Sequence, residues 1–386
     1  MRLLVGKYVD TKTERGESVI TVGGNVITQV EASTDSLSPQ TGDEDYRDCL
    51  LVPGFVDIHV HGGAGRYVME GTENATLAIG RHLATHGVTG WLSTTVTASW
   101  EAQRAALVAA HRLIEEGETG QSGAKLLGSH LEGPFINPVK KGAQPEEFIR
   151  LPDWNELQNC AGNTLLTLKI VTLAPEMPGA LKLISELAKR NIIVSLGHTN
   201  ATYAEVEVAI SRGARHVTHC GNAMSPMTTR EPGVMGAAFG RSELTAELIW
   251  DNHHVHPTVC EALIRAKGTR GVILISDGVP GVGMPDGYTF TLGTVHCKVE
   301  NGTVRLPDKT LAGSLLTLDR AFANAVPFSL SQRVQLTSGN ALAALGLSNQ
   351  IGQIRPGFRA DFAILAPNGS VRATYVEGNC VYRNEA

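Results

Sequence analysis

The chain has 386 residues, of which 42% are hydrophobic and 18% are charged, and its formal net charge is −5. This length suffices for one large core with a small appendage, and the composition is that of an ordinary soluble protein. A mildly acidic balance argues against nucleic acid or an anionic membrane surface as a partner.

Cysteine usage and the N-terminus point to the cell interior. The six cysteines are scattered without a C-x-x-C pair, which predicts a reducing compartment rather than a disulfide framework. The start, MRLLVGKYVDTKTERG, lacks a long apolar segment and a small-residue cleavage site, and no run of roughly eighteen apolar residues occurs. We therefore predict a cytoplasmic protein without a membrane span.

Both ends of the chain are rich in short β-type runs. Near the start these are residues 3–9, 18–22 and 25–30, and near the end they are residues 361–366, 370–377 and 380–382. We predict that residues 1–52 and 355–386 pair into one small β-sandwich domain. The alternative is two unrelated edge hairpins.

Residues 53–354 alternate between strand-like and helix-like segments. The predicted strands are residues 55–61, 88–95, 125–132, 168–172, 191–197, 215–219, 245–251 and 271–277. Predicted helices include residues 73–85, 101–116, 180–189, 201–212 and 257–267. This alternation predicts an α/β catalytic domain with a (β/α)8 TIM barrel. The alternative, an open doubly wound sheet, is disfavoured because no G-x-G-x-x-G motif follows the first strand.

The first predicted barrel strand ends in His59 and His61. Residues two apart on a strand face the same side, so both imidazoles point into the barrel mouth. Asp57 lies on the same face, and Gly62-Gly63 lets the backbone turn closely around a site. These neighbours favour metal ligation over the alternative of two exposed histidines beside a turn.

Three later strand ends carry residues of the same chemistry. Glu132 precedes a Gly-Pro turn, and His198 and His219 end two consecutive strands. A Glu/His/His set leaves an open coordination position, which is typical of a catalytic site for zinc or a similar divalent ion. A salt bridge is the alternative for Glu132. His130, on the same strand face, is interpreted as a partner behind the site or an ordinary core histidine.

Asp277 ends the last predicted strand. A carboxylate there can take a proton from activated water and return it to a leaving nitrogen. A further metal ligand and a helix cap are the alternatives. One of His253, His254 and His256, after the seventh strand, can polarise a carbonyl, but spacing does not choose among them.

A second group of residues suits an anion. Asn222, Ala223 and Arg230 follow His219 closely and offer backbone N–H groups and a guanidinium for a phosphate. An ordinary surface arginine is the alternative for Arg230. The histidines without a partner pattern are interpreted as structural; they are His82, His86, His111, His216 and His296.

Eight motifs occur in a fixed order: PGFVDIHVHGG, LEGPF, TLAPE, LGHTNAT, THCGNAMSP, REPG, SDG and LAGS. As an ordered set they resemble the amidohydrolase superfamily and, within it, the family of N-acetylglucosamine-6-phosphate deacetylases, over nearly the whole chain. The resemblance implies a barrel with a β-sandwich built from both chain ends, and a homodimer. It also implies metal-dependent hydrolysis of the N-acetyl group of a phosphorylated amino sugar, which releases acetate.

The resemblance further implies roles for single residues. Glu132, His198 and His219 resemble the ligands of the principal metal, and His59 and His61 match the pair found in members that hold a second ion. Asp277 resembles the catalytic acid and base, and His254 the histidine that polarises the acetyl carbonyl. The implied substrate contacts, some of them made across to a neighbouring subunit, are Ala143, Gln144, Asn222, Ala223, Arg230, His254, Leu311, Ala312, Gly313 and Ser314.

The implied cofactor is one or two divalent ions per subunit, with zinc expected and iron, cobalt or manganese as alternatives. Many members carry histidine where this chain has Gln144. The same reaction on N-acetylgalactosamine 6-phosphate is the first alternative activity, because its deacetylases share a GMPDG stretch like residues 283–287. Another amidohydrolase reaction and a sugar-phosphate-binding sensor are more distant alternatives.

Overall fold

The amino-terminal segment forms five strands: β1 (Arg2–Val9), β2 (Glu14–Arg15), β3 (Ser18–Gly23), β4 (Val26–Ala32) and β5 (Glu44–Pro53). The structure, a computed structural model, describes residues 1–32 and 39–384. β1 pairs antiparallel with β3 and parallel with β5. The sequence patterns predicted β1, β3 and β4 but not β5.

The central segment alternates strands and helices. Its strands are β6 (Phe55–Val60), β7 (Gly62–Gly63), β8 (Arg66–Tyr67), β9 (Val88–Thr95), β10 (Lys125–Glu132), β11 (Leu168–Leu173), β12 (Ile193–Leu196), β13 (Ala214–Val217), β14 (Thr245–Leu248) and β15 (Val272–Leu274). Its helices are α1 (Glu73–Ala84), α2 (Trp100–Glu115), α3 (Trp154–Ala161), α4 (Ala180–Ala188), α5 (Tyr203–Arg212), α6 (Gly233–Gly240) and α7 (Pro257–Lys267). Hydroxyl side chains cap the first turns of α1, α2 and α5, at Thr72, Ser99 and Thr202, which fixes where these helices begin.

Eight of these strands form one parallel sheet in the order β15-β14-β13-β12-β11-β10-β9-β6. The sheet curls until its two end strands meet: the backbone N–H of His61 donates to the Gly278 carbonyl at 2.8 Å, and that of Asp277 donates to the His59 carbonyl at 3.0 Å. This arrangement agrees with the predicted barrel, and the open sheet is not observed. Residues that follow the strands therefore gather at one rim.

Several barrel strands are shorter than predicted because their last residues turn into that rim. The predicted segments 245–251 and 271–277 are strands only to Leu248 and Leu274. Three residues at the rim have left-handed backbone angles: φ is 47° at His198, 30° at His219 and 50° at Asp277. A residue in this region cannot continue a strand, and such strain is typical of functional sites.

After β15 the chain forms a small antiparallel sheet of β16 (Thr289–Leu292), β17 (Val295–Glu300) and β18 (Thr303–Arg305), which the sequence patterns did not predict. Helices α8 (Leu318–Asn324), α9 (Leu330–Val334) and α10 (Asn340–Ala344) follow, and the π-helical segment Gln335–Gly339 joins the last two. The Thr294 hydroxyl donates to the Glu147 carboxylate at 2.7 Å, so the small sheet is tied to the loop after β10.

The carboxyl-terminal strands are β19 (Phe362–Leu365), β20 (Val371–Val376) and β21 (Asn379–Arg383). They join the amino-terminal strands in the order β21-β20-β19-β5-β1-β3-β4, with β2 beside β1. Both chain ends thus share one sheet, which has an apolar core separate from that of the barrel. The structure describes a single continuous sheet, and the two-layer sandwich stays a prediction.

The six cysteines are free; five are buried, and Cys380 is exposed. Among residues 1–32 and 39–384, no helix combines the length and the apolar character that crossing a bilayer requires.

Candidate metal centre

Four imidazoles and two carboxylates that are far apart in sequence converge at the rim of the parallel sheet. The Nε2 atoms of His198 and His219 are 3.1 Å apart, and those of His59 and His61 are 3.2 Å apart. Glu132 Oε1 lies 3.0 Å from His219 Nε2 and 3.2 Å from His198 Nε2. The convergence predicted from strand ends is therefore present.

The ligand atoms form two adjacent pockets. One consists of Glu132, His198 and His219, and the other of His59, His61 and Asp277; within each, the ligand atoms lie within 4.8 Å of one another. Asp277 Oδ1 is 3.1 Å from His61 Nε2. Glu132 lies between the pockets, since its two oxygens are each 3.5 Å from an Nε2 atom of the His59–His61 pair. Nitrogen and oxygen donors in these numbers fit one or two divalent cations.

Hydrogen bonds on the far side of three imidazoles aim their Nε2 atoms at the centre. His61 Nδ1 bonds to the Thr94 carbonyl at 3.1 Å, and His198 Nδ1 bonds to the Lys140 carbonyl at 2.9 Å. His59 Nδ1 bonds to Glu247 Oε2 at 2.9 Å. An acceptor at Nδ1 holds the proton there and leaves the Nε2 lone pair free for a cation.

The electrostatics of the centre favour positive charge. Burial raises the pKa of Glu132, but the imidazoles of His198 and His59 outweigh it and hold that pKa well below the usual value. Burial lowers the pKa of His59, but the carboxylates of Glu247 and Glu132 outweigh it and raise that pKa to about 10. Buried carboxylates that draw protons onto imidazoles are suited to exchange those protons for a metal ion.

A cavity of about 270 Å³ opens above the two pockets. Seven of the predicted substrate contacts line it: Ala143, Gln144, Asn222, Ala223, His254, Leu311 and Gly313. The His254 ring is fixed by a 2.7 Å bond from its Nδ1 to Asp251 Oδ2, which leaves Nε2 as its free nitrogen. The cavity thus brings polar groups to the open side of the metal pockets.

Three predicted substrate contacts lie elsewhere. Arg230 is exposed on the surface and does not line the cavity. Ala312 and Ser314 are buried. The backbone N–H of Ser314 donates to the Asp277 carbonyl at 2.8 Å, and its hydroxyl donates to the Ser276 carbonyl at 2.5 Å, so Ser314 supports the turn that carries Asp277.

Gln144 has both ends of its amide occupied. Its Nε2 donates to Glu132 Oε2 at 2.6 Å, and its Oε1 accepts the Thr97 N–H at 2.7 Å. This residue therefore restrains a metal-site carboxylate in addition to lining the cavity.

Sequence reasoning missed Glu247 and the role of His216. Both Glu247 oxygens are used: one by His59 and the other by His216 Nε2 at 3.2 Å. His130 was interpreted either as a partner behind the site or as an ordinary core histidine. It bonds to the Ile58 carbonyl and the Thr172 hydroxyl. The signal for Glu247 was a single glutamate inside the short apolar run TAEL, which is too weak to single out alone.

A curled parallel sheet with imidazole and carboxylate ligands at the carboxyl ends of its strands defines the class of barrel hydrolases that use a bound metal. Residues 50–381 match the amidohydrolase family, and the chain belongs to this family.

Individual relatives are similar over most of their length. The chain is 38% identical over 344 residues to an N-acetylglucosamine-6-phosphate deacetylase of Bacillus subtilis, covering 87% of this chain and 85% of the relative. It is 37% identical over 332 residues to an N-acetylgalactosamine-6-phosphate deacetylase of Escherichia coli O157:H7, covering 85% and 87%.

Solved structures show the same similarity in three dimensions. One is an N-acetyl-D-glucosamine-6-phosphate deacetylase variant from Mycobacterium smegmatis in complex with N-acetyl-D-glucosamine-6-phosphate, with a TM-score of 0.91, 30% identity and 99% of each chain covered. Another is the N-acetylglucosamine-6-phosphate deacetylase of Thermotoga maritima, with a TM-score of 0.88, 33% identity and 100% of each chain covered.

Proposed function

We propose that this protein hydrolyses the N-acetyl group of N-acetyl-D-glucosamine 6-phosphate, giving glucosamine 6-phosphate and acetate in amino-sugar catabolism. The single observation that supports this most is the convergence of Glu132, His198 and His219 beside Asp277 under an open cavity. The relatives named above act on acetylated amino-sugar phosphates according to their names, and they match this chain over most of its length.

In this proposal Glu132, His198 and His219 hold the principal ion, and His59 and His61 hold a second one with Asp277 beside them. We expect zinc, with iron, cobalt or manganese as alternatives. A bound divalent ion supplies Lewis-acid charge that polarises the acetyl carbonyl and acidifies water. Asp277 takes the proton from the attacking water and then passes it to the departing amine nitrogen. Burial raises the pKa of Asp277, but the imidazoles of His61 and His59 outweigh it and lower that pKa, which keeps the carboxylate ready to accept a proton.

His254 acts on the carbonyl oxygen. Its Nδ1 donates to the Asp251 carboxylate, so Nε2 offers an N–H to the oxygen, where negative charge develops, when the ring carries both protons. Asn222 and Ala223 lie at the same cavity and contact the sugar or its phosphate.

The phosphate end needs a cation that the described lining does not supply. Among the described residues, the cavity lining includes neither lysine nor arginine. We propose that the chain forms a homodimer in which the exposed Arg230 serves the phosphate in the neighbouring subunit. Residues 1–52 and 355–386 form the β-sandwich domain in this proposal, residues 53–354 form the catalytic barrel, and the enzyme is cytoplasmic.

The second candidate is the same reaction on N-acetylgalactosamine 6-phosphate. The identity to the Escherichia coli enzyme of that name supports it, because it is within one percentage point of the identity to the Bacillus subtilis relative. The galactosamine epimer differs only in the configuration of one ring hydroxyl, so the same metal ligands and the same acid–base carboxylate would serve either substrate.

The deciding experiment measures acetate release from both epimers by the purified protein with its metal content determined. We expect release from both phosphorylated sugars, with the higher kcat/KM for the glucosamine epimer. A higher kcat/KM for the galactosamine epimer would select the second candidate. No release from either sugar by metal-loaded protein would refute a deacetylase and favour a binding role.

A further inference from the structure

A buried carboxylate on β14 lies directly behind the metal centre. The side chain of Glu247 is 0% exposed, although no arginine or lysine is bonded to it in the described structure. Its Oε2 accepts from His59 Nδ1 at 2.9 Å and from the backbone N–H of His219 at 3.2 Å. Its Oε1 bonds to His216 Nε2 at 3.2 Å. An unpaired buried carboxylate is costly, so these donors account for its presence.

The contact with His59 differs in kind from the contacts of the other ligands. His61 and His198 bond through Nδ1 to neutral backbone carbonyls, whereas His59 bonds to a carboxylate. A charged acceptor makes the opposite imidazole nitrogen a stronger electron donor to a metal. His219, in turn, has a buried Nδ1 without a partner among the described residues, so no hydrogen bond behind the ring orients it and the position of its backbone matters more. That backbone is held in part by the same Glu247 oxygen.

The second Glu247 oxygen limits rotation of the carboxylate. His216 Nε2 bonds to it, and His216 Nδ1 contacts the Thr245 hydroxyl on the other side of the ring. The chain of contacts from Thr245 through His216 to Glu247 therefore fixes the plane in which the other oxygen faces His59 and His219. Rigid support of this kind is what precise metal geometry requires.

We propose that Glu247 is a positioning residue of the metal centre, which orients His59 through its side chain and His219 through its backbone. One oxygen thus serves a ligand from each pocket, and loss of Glu247 disturbs both pockets together. The inference rests on the metal-dependent function proposed above, but it concerns metal affinity rather than the substrate.

The test compares metal binding by the wild-type protein with that by Glu247→Gln and Glu247→Leu. Zn²⁺ is the probe, and its affinity and stoichiometry are measured by competition with a chromophoric chelator. Gln keeps one oxygen acceptor and loses the charge, whereas Leu loses both. Because partners behind a metal ligand typically contribute about 10- to 100-fold in affinity, we expect weakening near tenfold for Gln and closer to hundredfold for Leu.

The matched control is Asp361→Asn in the terminal sheet. Asp361 is also a buried carboxylate, bonded to the Arg359 guanidinium and to the backbone N–H of Glu377, but it is not in the barrel. Its amide variant should lose stability and keep wild-type affinity for Zn²⁺. If Asp361→Asn weakened Zn²⁺ binding as much as Glu247→Gln, the effect would be a general loss of folding and the positioning role would be wrong.

Further outcomes separate this inference from the proposed function. Wild-type affinity and stoichiometry in Glu247→Gln would overturn the positioning role even if the enzyme deacetylates normally, and this variant decides alone if Glu247→Leu does not fold. Weaker binding in Glu247→Gln would support it even if the wild-type protein releases no acetate. As a second readout, kcat of Glu247→Gln should recover at excess Zn²⁺ while KM stays unchanged.

Discussion

Histidines in two regions of this protein, fully buried at His59 and half-buried at His82, respond to burial in opposite ways. In the metal centre, nearby carboxylates overcome burial and raise the pKa of His59 to about 10. On helix α1, burial lowers the pKa of His82 to about 4, and its Nε2 has no partner among the described residues. The neighbouring His86, whose ring centroid is 5.0 Å away, lowers the pKa of His82 further. The same side chain therefore favours a cation in one region and neutrality in the other.

The difference indicates that carboxylates bonded directly to a histidine, rather than burial or histidine clustering, favour positive charge at the candidate metal centre. His130 illustrates this, because its ring centroid lies 4.7 Å from that of His59 and yet its hydrogen-bond partners are a carbonyl and a hydroxyl. Burial lowers its pKa to about 3. A histidine next to the centre but without a bonded carboxylate thus resembles His82, and we interpret it as structural support.

The largest expected effect concerns Asp277, the carboxylate of the centre with a proposed role in proton transfer. Asp277→Asn keeps the shape of the side chain but cannot accept a proton, so kcat should fall by about 10²- to 10⁴-fold. The ion held by Glu132, His198 and His219 should remain. Acetate release and metal analysis on the same sample check both statements, with His82→Gln as the control that keeps its turnover. Near-normal kcat in Asp277→Asn would remove the acid–base role.

Metal binding should raise the free energy of unfolding through the metal centre, and the region of His82 should not contribute to this gain. Zn²⁺ at about one hundred times its Kd stabilises a protein that binds it only when folded by about 2.7 kcal/mol. Urea unfolding with and without the ion should show this gain in the wild-type protein and in His82→Gln. Glu132→Gln should lose most of it, because Glu132 contacts ligands of both pockets. An equal gain in Glu132→Gln would place the ion elsewhere.

The phosphate group of the proposed substrate needs a positive charge, as the carboxylates of the metal centre do. The described cavity lining, which includes neither lysine nor arginine, does not supply that charge. Arg230→Ala should raise KM for the phosphorylated sugar by roughly tenfold or more, as expected for one charge-assisted hydrogen bond, with a smaller change in kcat. Unphosphorylated N-acetylglucosamine is the control substrate, and its kcat/KM should not change. Equal losses on both sugars would show that Arg230 has a structural role instead.

A mixing experiment tests whether Arg230 acts across subunits. Arg230→Ala and Asp277→Asn protomers, combined and allowed to exchange, should regain part of the lost activity, because one site of a mixed dimer has both residues intact. No recovery in verified mixed dimers would place Arg230 at the site of its own subunit or away from the phosphate.

The convergence of the candidate metal ligands was largely predictable because strand ends of a parallel sheet share one rim. Once His59, Glu132 and His198 were assigned to strand ends, their convergence followed from the topology. Glu247 was not predictable in this way. It lies 188 residues from its partner His59, and only the curling of the sheet brings β14 and β6 to face each other across the interior.

The unpredicted parts of the fold also depend on distant pairing. Strand β5 begins with the polar sequence EDYRDC, which has no apolar alternation, and it is a strand because β1 and β19 pair with it on either side. The position of Arg230 is another example, since closeness to His219 in sequence does not determine where a loop side chain points. Local sequence patterns therefore predicted the strands that contain a run of apolar residues. They missed strands such as β5, which form because neighbouring strands pair with them.

The smallest expected effect is the pH dependence of stability due to His82. Its pKa of about 4 in the folded protein lies below the ordinary value of 6.5. Between these values the unfolded chain binds more protons, so this contribution is complete above pH 6.5 and is lost as the pH falls towards 4. His59 and His219, whose pKa values are raised, contribute with the opposite sign in metal-free protein, so total stability alone does not isolate His82.

The difference in unfolding free energy between wild type and His82→Gln, measured with urea at pH 7.5 and pH 5, cancels the contributions of His59 and His219. It should shift in favour of the variant at the lower pH, and a difference that does not change with pH would mean that His82 is already charged or exposed in the folded state.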